Sequence, residues 1–403
     1  MISLVIFMVA ILVFIGFFSQ TMQTGIAYER HTALATKTSD LLDTILLNPG
    51  IPINWGESDN SSVGFGLQDP DFSTYRLSSF SPMRLTSSTQ SPVYYPRTGE
   101  YYSNITAGFG GYLLAPSAKS LNYSTVSKLL GINGTYGFQL TLSPIISVSI
   151  EKISVGTPLR LLVSSAGTGY PLANSKLSYS LILVNQDGNQ YPSHTVINGA
   201  AVTDPAGSTE LSFVGIDGES QSYALIVYSY LNGLKGIGYY VHVPQSFTKS
   251  VIPLIDSFQN RSILIAHGDS VGEFTQPPSS SELSYNASFV ILTEDYTLRP
   301  VDLNQASEVG EVVYGSGSGQ EYASITVPDN NGILIVTYKS NSNQYGLVLM
   351  PWGFGSTAFE LTFGGSPAWQ DWVTTDIRQV TIGVISYQAK LALWNDQGIS
   401  RID

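Results

Sequence analysis

Cysteine is absent from the 403 residues. That excludes disulfide staples, thiol nucleophiles and cysteine-held zinc. It does not imply a reducing compartment, because a chain with a large enough core folds without disulfides. Charge is scarce, at 12% of residues, and leans acidic to a formal net of −12, which argues against nucleic acid as a partner. Histidine occurs only at His31, His194, His242 and His267, and no two stand at metal-ligand spacing. The most telling absence is local: Met1–Tyr28 contains no Asp, Glu, Lys, Arg or His.

What fills that stretch is Leu, Ile, Val, Met and Phe, and its first eighteen residues are apolar apart from Ser3 and Gly16. As a helix it is about 40 Å long, enough to cross the roughly 30 Å hydrocarbon core of a bilayer. A cleavable secretion signal would carry a basic start, a shorter apolar core and a small-residue cleavage site, and none of the three is present. The apolar face also continues past the first charge at Glu29, through Ile26, Ala33, Leu34, Leu41, Leu42, Ile45 and Leu46 at three- and four-residue spacings. The pattern predicts one helix from Ile2 to about Leu47, roughly 70 Å long, apolar all round in its first half and amphipathic in its second. Asn48-Pro49-Gly50 ends it, and Pro52 discourages a restart.

Tyr, Ser, Gly and Asn abound in the remainder, the composition of extracellular β-rich protein with Gly, Pro, Asn and Asp turns. The length suggests two or three domains beyond the helix of residues 1–47. Residues 48–143 are irregular, with strands expected at Val93–Tyr95 and Tyr136–Leu142. A short helix is expected over Leu121–Leu130, capped by Ser124 or Thr125. This connector is expected to wrap the upper helix or bridge it to the next domain. Residues 144–245 alternate cleanly: Leu159, Leu161 and Val163; Leu177, Tyr179, Leu181 and Leu183; Leu211 and Phe213; Tyr223, Leu225 and Val227. Turn signals separate these runs, so the segment reads as an immunoglobulin-like sandwich. Residues 246–403 form a second β-rich unit ending in a hairpin over Gln379–Trp394, with Gly383 near its bend. The fold class expected is therefore α+β: a long N-terminal hydrophobic helix followed by mainly-β domains.

Six Asn-x-Ser/Thr triplets, at Asn60, Asn104, Asn122, Asn133, Asn260 and Asn286, all follow the helix and are possible N-glycosylation sites. Sugar there would supply solubility that the sparse charge does not. Catalytic constellations are weak by comparison. His267-Gly-Asp269-Ser270 holds triad residue types side by side, but triad members meet through the fold, so a polar turn is the better reading. Gly315-Ser-Gly-Ser-Gly319 has no serine at its centre and no lysine after it, so it is neither a nucleophile elbow nor a phosphate loop. Asp329-Asn-Asn-Gly332, Asp187-Gly188 and Asp217-Gly218 could hold Ca²⁺, but none completes the loop that binds it, and turn formation explains them. Glu294-Asp295 could serve as paired acids, though nothing marks it out. Tyr94, Tyr95, Tyr101, Tyr102, Trp352, Trp369 and Trp372 could stack on sugars if exposed, or pack inside. No enzyme activity, cofactor or metal is expected.

Met1-Ile-Ser-Leu-Val-Ile-Phe-Met8, the helix after it, and Leu41-Leu-Asp-Thr-Ile-Leu-Leu-Asn-Pro-Gly-Ile-Pro-Ile-Asn-Trp55 together resemble the archaeal type IV pilin superfamily. The resemblance covers about the first fifty-five residues. It implies that a prepilin peptidase removes a short basic leader and that the helix waits in the membrane. An assembly ATPase and a platform protein then draw it into a helical bundle with identical subunits, its β domains outside. The bundle residues implied are Ile2, Leu4, Val5, Phe7, Met8, Ile11, Leu12, Phe14, Ile15 and Phe18. Two features depart from the family: no basic leader stands before Met1, and Val5 stands at the fifth position, where bacterial members carry a Glu that archaeal members often lack. The function implied is a structural subunit of an extracellular filament. The alternatives are a minor or tip pilin, or a membrane-anchored surface adhesin. The 144–245 segment separately resembles bacterial and archaeal surface Ig-like modules, through Gly169-Tyr-Pro-Leu-Ala-Asn-Ser-Lys176 and Thr203-Asp-Pro-Ala-Gly207, which implies spacing or adhesion.

Overall fold

The computed structural model describes residues 2–59, 62–72, 74–85, 93–95, 100–106, 112–116, 119–186, 192–244, 250–268, 283–293, 295–301, 303, 310–312, 323–340, 343–356, 358, 360–368, 370 and 372–395. An N-terminal apolar helix, α1 (Ile2–Leu46), is followed by a mostly-β body built from several sheets. The helix stops where the sequence says it should. The Asn48 side chain accepts the Gly50 amide at 2.8 Å, and Gly50 takes φ +82°, which a Cβ would resist. The chain then doubles back: the Leu67 amide donates to the Ile45 carbonyl at 2.8 Å and the Gln68 amide to Asn48 at 3.0 Å. The first of these satisfies a carbonyl that the helix end would otherwise leave open. Trp55, Phe65, Leu67 and Leu77 pack into the same core cluster as Leu41, Leu42, Ile45 and Leu46.

The sheet that carries α1 has the strand order Arg76–Leu77, Val373–Ile382, Ile385–Asn395, Tyr136–Pro144, Leu361–Gly364. Its members come from opposite ends of the sequence, as in the antiparallel pairing of Leu140 with Leu391 and of Phe138 with Leu393. The hairpin at its centre turns at Gly383, φ +57°, where Gly355 packs against it. Tyr387, Ala389, Leu391 and Leu393 are all fully buried. The preceding strand alternates so that Thr374, Val380 and Ile382 are buried while Thr375, Ile377 and Gln379 are exposed. It runs back to Val373, further than the Gln379 start read from the sequence. The short helix α2 (Tyr123–Leu129) is capped by Asn122, whose side chain accepts the Thr125 amide at 2.9 Å, rather than by Ser124 or Thr125.

Between residues 146 and 242 lie two sheets. One orders His194–Val202, Lys176–Val184, Tyr223–Leu231, Leu234–His242; the other orders Ser208–Phe213, Leu159–Gly167, Ile146–Lys152, with Tyr170–Pro171 at its side. Leu159, Leu161, Val163, Leu181, Leu225 and Val227 form a core shared by both. The four-stranded sheet is covered on its other face too: Ile182, Val184, Ala224, Ile226 and Tyr228 belong to the main core cluster. Two further sheets complete the body. One, of six strands, runs from Ala323–Thr326 to Val93–Tyr95; the other is built on Leu283–Leu292, Gly332–Ser340 and Tyr345–Trp352. Arg84, almost wholly buried, ties several segments together. It donates to the carbonyls of Trp55, Ser58 and Lys119, and its guanidinium lies over the rings of Trp55 and Phe258 at 5.4 and 5.8 Å. Beside it Asp59 accepts from Ser257 at 2.6 Å and from the Phe258 amide at 3.1 Å, and pairs with Lys119 at 3.2 Å.

Candidate assembly and membrane surface

The two halves of α1 live in different surroundings. From Leu34 onward it is held: Leu34 is half-buried, and Thr38, Leu41, Leu42, Ile45 and Leu46 are buried against the hairpin of the helix-bearing sheet. Before that it stands clear. Leu12 is 67% exposed, Phe14 72% and Phe17 68%, and Phe7, Met8, Ile11, Ile15 and Phe18 are exposed as well. Ile2, Leu4 and Val5 continue the same helix, but their side chains lie outside the described residues. The Thr21 and Thr24 hydroxyls donate to the carbonyls of Phe17 and Gln20, at 2.8 and 2.9 Å, so these polar groups are already partnered within the helix. Each large apolar side chain left in water forgoes about 1.5–3 kcal/mol of burial, and one contiguous rod of them far exceeds what a soluble monomer exposes. α1 is long and apolar enough to cross a membrane.

Polar side chains fix the held half in place. Asp43 Oδ1 accepts from the Tyr75 hydroxyl at 2.9 Å and from Arg378 Nε at 3.2 Å. Arg378 also donates to Asp376 at 2.6 Å and to the Ser39 hydroxyl at 2.9 Å. Its hydrogen bonding with Tyr75, and then its bond to Asp376 and the charges of Asp376 and Asp43, raise the guanidinium pKa despite the opposing effect of burial. Burial works against the charge of Asp376, yet hydrogen bonds from the Ile377 amide, Ser39 and Arg378 outweigh it and hold its carboxyl below the usual range. At the foot of the body, where α1 emerges, the His31 ring meets Trp372 edge-on at 6.3 Å, and Trp372 is 53% exposed.

The other residues singled out from the sequence are scattered. Asn122, Asn133 and Asn260 are exposed, and Asn286 is half-buried within a paired strand. Asn60 and the side chain of Asn104 lie outside the described residues, as do His267, Asp269 and Ser270, residues 315–319, Asp187-Gly188, Glu294, Tyr94, Tyr95 and Trp369 in whole or in side chain. Asp217 serves its own turn, accepting from the Glu219 amide at 2.9 Å and the Ser220 hydroxyl at 2.7 Å. Asp329 pairs with Arg261 at 3.1 Å. His242 stacks on Tyr223 at 5.1 Å, and His194 is held near Ser288, where burial lowers its pKa. Trp352 and Tyr102 are core residues, whereas Tyr101 is exposed. Among the described residues no three His, Cys, Asp or Glu side chains gather in a way that could hold a metal ion. The Asp43–Arg378 lock was missed from the sequence, because ordinary charged residues 335 positions apart carry no local signal of their pairing.

No family model matches the chain, and no curated protein does. Among solved structures, a Salmonella alpha-2-macroglobulin reacted with methylamine is similar at 10% identity and a TM-score of 0.23, over 58% of this chain and 17% of that one. A red sea bream transglutaminase is similar at 10% identity and a TM-score of 0.20, over 63% and 37%. The BSP domain of a biofilm associated protein is similar at 13% identity and a TM-score of 0.16, over 53% and 30%. The chain thus spans well under half the length of each, and likenesses this slight carry no argument about what it does.

Proposed function

We propose that the chain is a structural subunit of an archaeal type IV pilus-like filament, built through the exposed half of α1. One observation carries the reading: the helix is clamped over Leu34–Leu46, and the described side chains of its apolar first half are bare. A rod of that kind has two stable surroundings, lipid and its own copies. Moving from lipid to a bundle gains little hydrophobic energy, because both media are apolar, but it gains side-chain packing. A membrane pool of subunits therefore feeds a filament without a large energetic step. In this reading prepilin peptidase, assembly ATPase and platform protein act during biogenesis, identical subunits are the lasting partners, and no reaction is assigned to the body. Residues 144–245 are read as an Ig-like spacer whose two-sheet core is independent of the helix. The body then faces outward, on the extracellular surface.

A second reading, a minor or tip pilin or an anchored adhesin, is favoured by the size of the β body relative to the single helix it must surround. Shearing filaments from the native cell surface and identifying their main band separates the two. The chain as the dominant band supports the structural subunit. Its presence only in trace amounts supports the tip pilin. Its retention in the membrane fraction, with no filament containing it, overturns both pilin readings and leaves the anchored adhesin.

A further inference from the structure

One edge strand of the four-stranded sheet lacks the usual protection. His194–Val202 pairs with Lys176–Val184 along one side, and among the described residues no strand pairs along the other. Exposed edges are normally blunted by charge, proline, shortness or cover. The other edges here follow that rule. Ser208–Phe213 carries Glu210, ion-paired to Arg160; Leu298–Val301 has Arg299 and Pro300 in four residues; Tyr345–Trp352 is buried throughout. Leu234–His242 carries Lys235, and its Gly236 and Gly238 press against Ile146 and Val148. His194-Thr-Val-Ile-Asn-Gly-Ala-Ala-Val202 has nine residues, no Asp, Glu, Lys, Arg or Pro, and alternates between half-buried and exposed along most of its length, with Ile197 39% and Val202 54% exposed.

We infer that this strand joins two copies of the chain, pairing antiparallel with the same strand of a second subunit to make one continuous eight-stranded sheet. The sequence of the strand selects the occupant. Its first half is bulky, and Gly199 to Ala201 in its second half are small. Antiparallel self-pairing about Asn198 sets Ile197 against Gly199, Val196 against Ala200 and Thr195 against Ala201. In these three pairs the larger side chain meets a smaller one, on both sides of the two-fold axis, and His194 meets Val202 at the ends. Tyr179 already lies over Gly199, within 2.3 Å of where a Cβ would stand, and offers the incoming Ile197 a ring to rest on. Backbone bonds supply the attraction, and the absence of charge lets two acidic molecules meet there. The strip is about 30 Å long and 10 Å wide, so it falls short of the roughly 1,200 Å² of a stable dimer. Isolated copies stay apart, and pairing appears where many are arrayed side by side.

Native lack of cysteine makes the test clean. Full-length Asn198→Cys, crowded in lipid vesicles under mild oxidation, is expected to form disulfide-linked dimers several-fold faster than Val155→Cys, whose side chain is 88% exposed, at the same density. Self-paired residues sit about 5 Å apart, within disulfide reach. Adding Ile197→Lys to Asn198→Cys is expected to return the rate to that of the Val155→Cys control. Should Asn198→Cys misfold, Val196→Cys and Ala200→Cys are expected to cross-link when mixed and not when alone. Equal rates for Asn198→Cys and Val155→Cys overturn the inference, as does insensitivity to the lysine or the lack of a mixing effect. The readout needs no filament, so its failure leaves the filament reading standing.

Discussion

Arg378, near the C-terminal end of the chain, holds Asp43 on the first helix, Nε to Oδ1 at 3.2 Å across 335 residues. The same guanidinium reaches Asp376 and the Ser39 hydroxyl. One side chain thus couples the register of the hairpin to that of the helix. Replacing it by Ala is expected to lower unfolding stability by about 1–2 kcal/mol, since both partners are partly wet. Faster amide exchange confined to Leu34–Leu46 would show that the lost stability is that of the clamp.

Asp376 gives the clamp a pH limit. Its carboxyl is held below the usual range when folded, so the unfolded chain binds the proton more readily. Its contribution is complete above the unfolded value near 3.9 and is lost as pH falls through the folded value. Melting in detergent between pH 2 and pH 5 is expected to show this loss, and Asp376→Asn is expected to flatten that part of the curve.

The two halves of α1 answer mutation in opposite ways. Leu42→Ala empties a fully buried site and is expected to cost the body about 2–5 kcal/mol, leaving membrane retention intact. Phe14→Asp touches nothing in the body. Its unfolding is expected to be unchanged while extraction from membranes becomes easy and filaments disappear. Filaments that survive Phe14→Asp would contradict the bundle reading.

Arg84→Met removes the donors to the Trp55, Ser58 and Lys119 carbonyls. Leaving several buried carbonyls without their charged donor costs about 1–3 kcal/mol each at most, far more in sum than trimming a surface ion pair. Denaturant unfolding is expected to show a drop of that size, and Arg160→Met, on the exposed pair with Glu210, no resolvable drop.

Glycopeptide mass spectrometry on protein from its native cell checks the triplets. Asn122, Asn133 and Asn260 are exposed, and occupancy is expected there before Asn286, which sits inside a paired strand.

Much of this architecture was legible locally. The charge-free run, the amphipathic continuation and the Asn-Pro-Gly stop marked α1 to within one residue of its observed end. Period-two runs such as Leu159, Leu161 and Val163 marked strands with one apolar face. The strand Val373–Ile382 was only half legible, because its inward face begins with Thr374, Asp376 and Arg378 and its outward face includes Ile377. Polar groups that pair with a helix look like solvent-facing ones until the helix is in place. The pairing of Tyr136–Pro144 with Ile385–Asn395 was not legible at all, since register between distant segments leaves no local trace. For the candidate surface, the apolar half of α1 could be read from composition, whereas the Asp43–Arg378 lock that sets where it begins could not.

That late pairing has a consequence for how the molecule is made. The strands that clamp α1, Val373–Ile382 and Ile385–Asn395, emerge long after it, so the oily rod exists well before its socket. Throughout that interval a bilayer is the natural shelter for its apolar half. A product that stops short of Val373 keeps its anchor yet lacks the hairpin that sets the body at a fixed height and angle on the shaft. In the proposed filament reading, a finished hairpin therefore tells a whole body from a fragment before either joins a growing polymer.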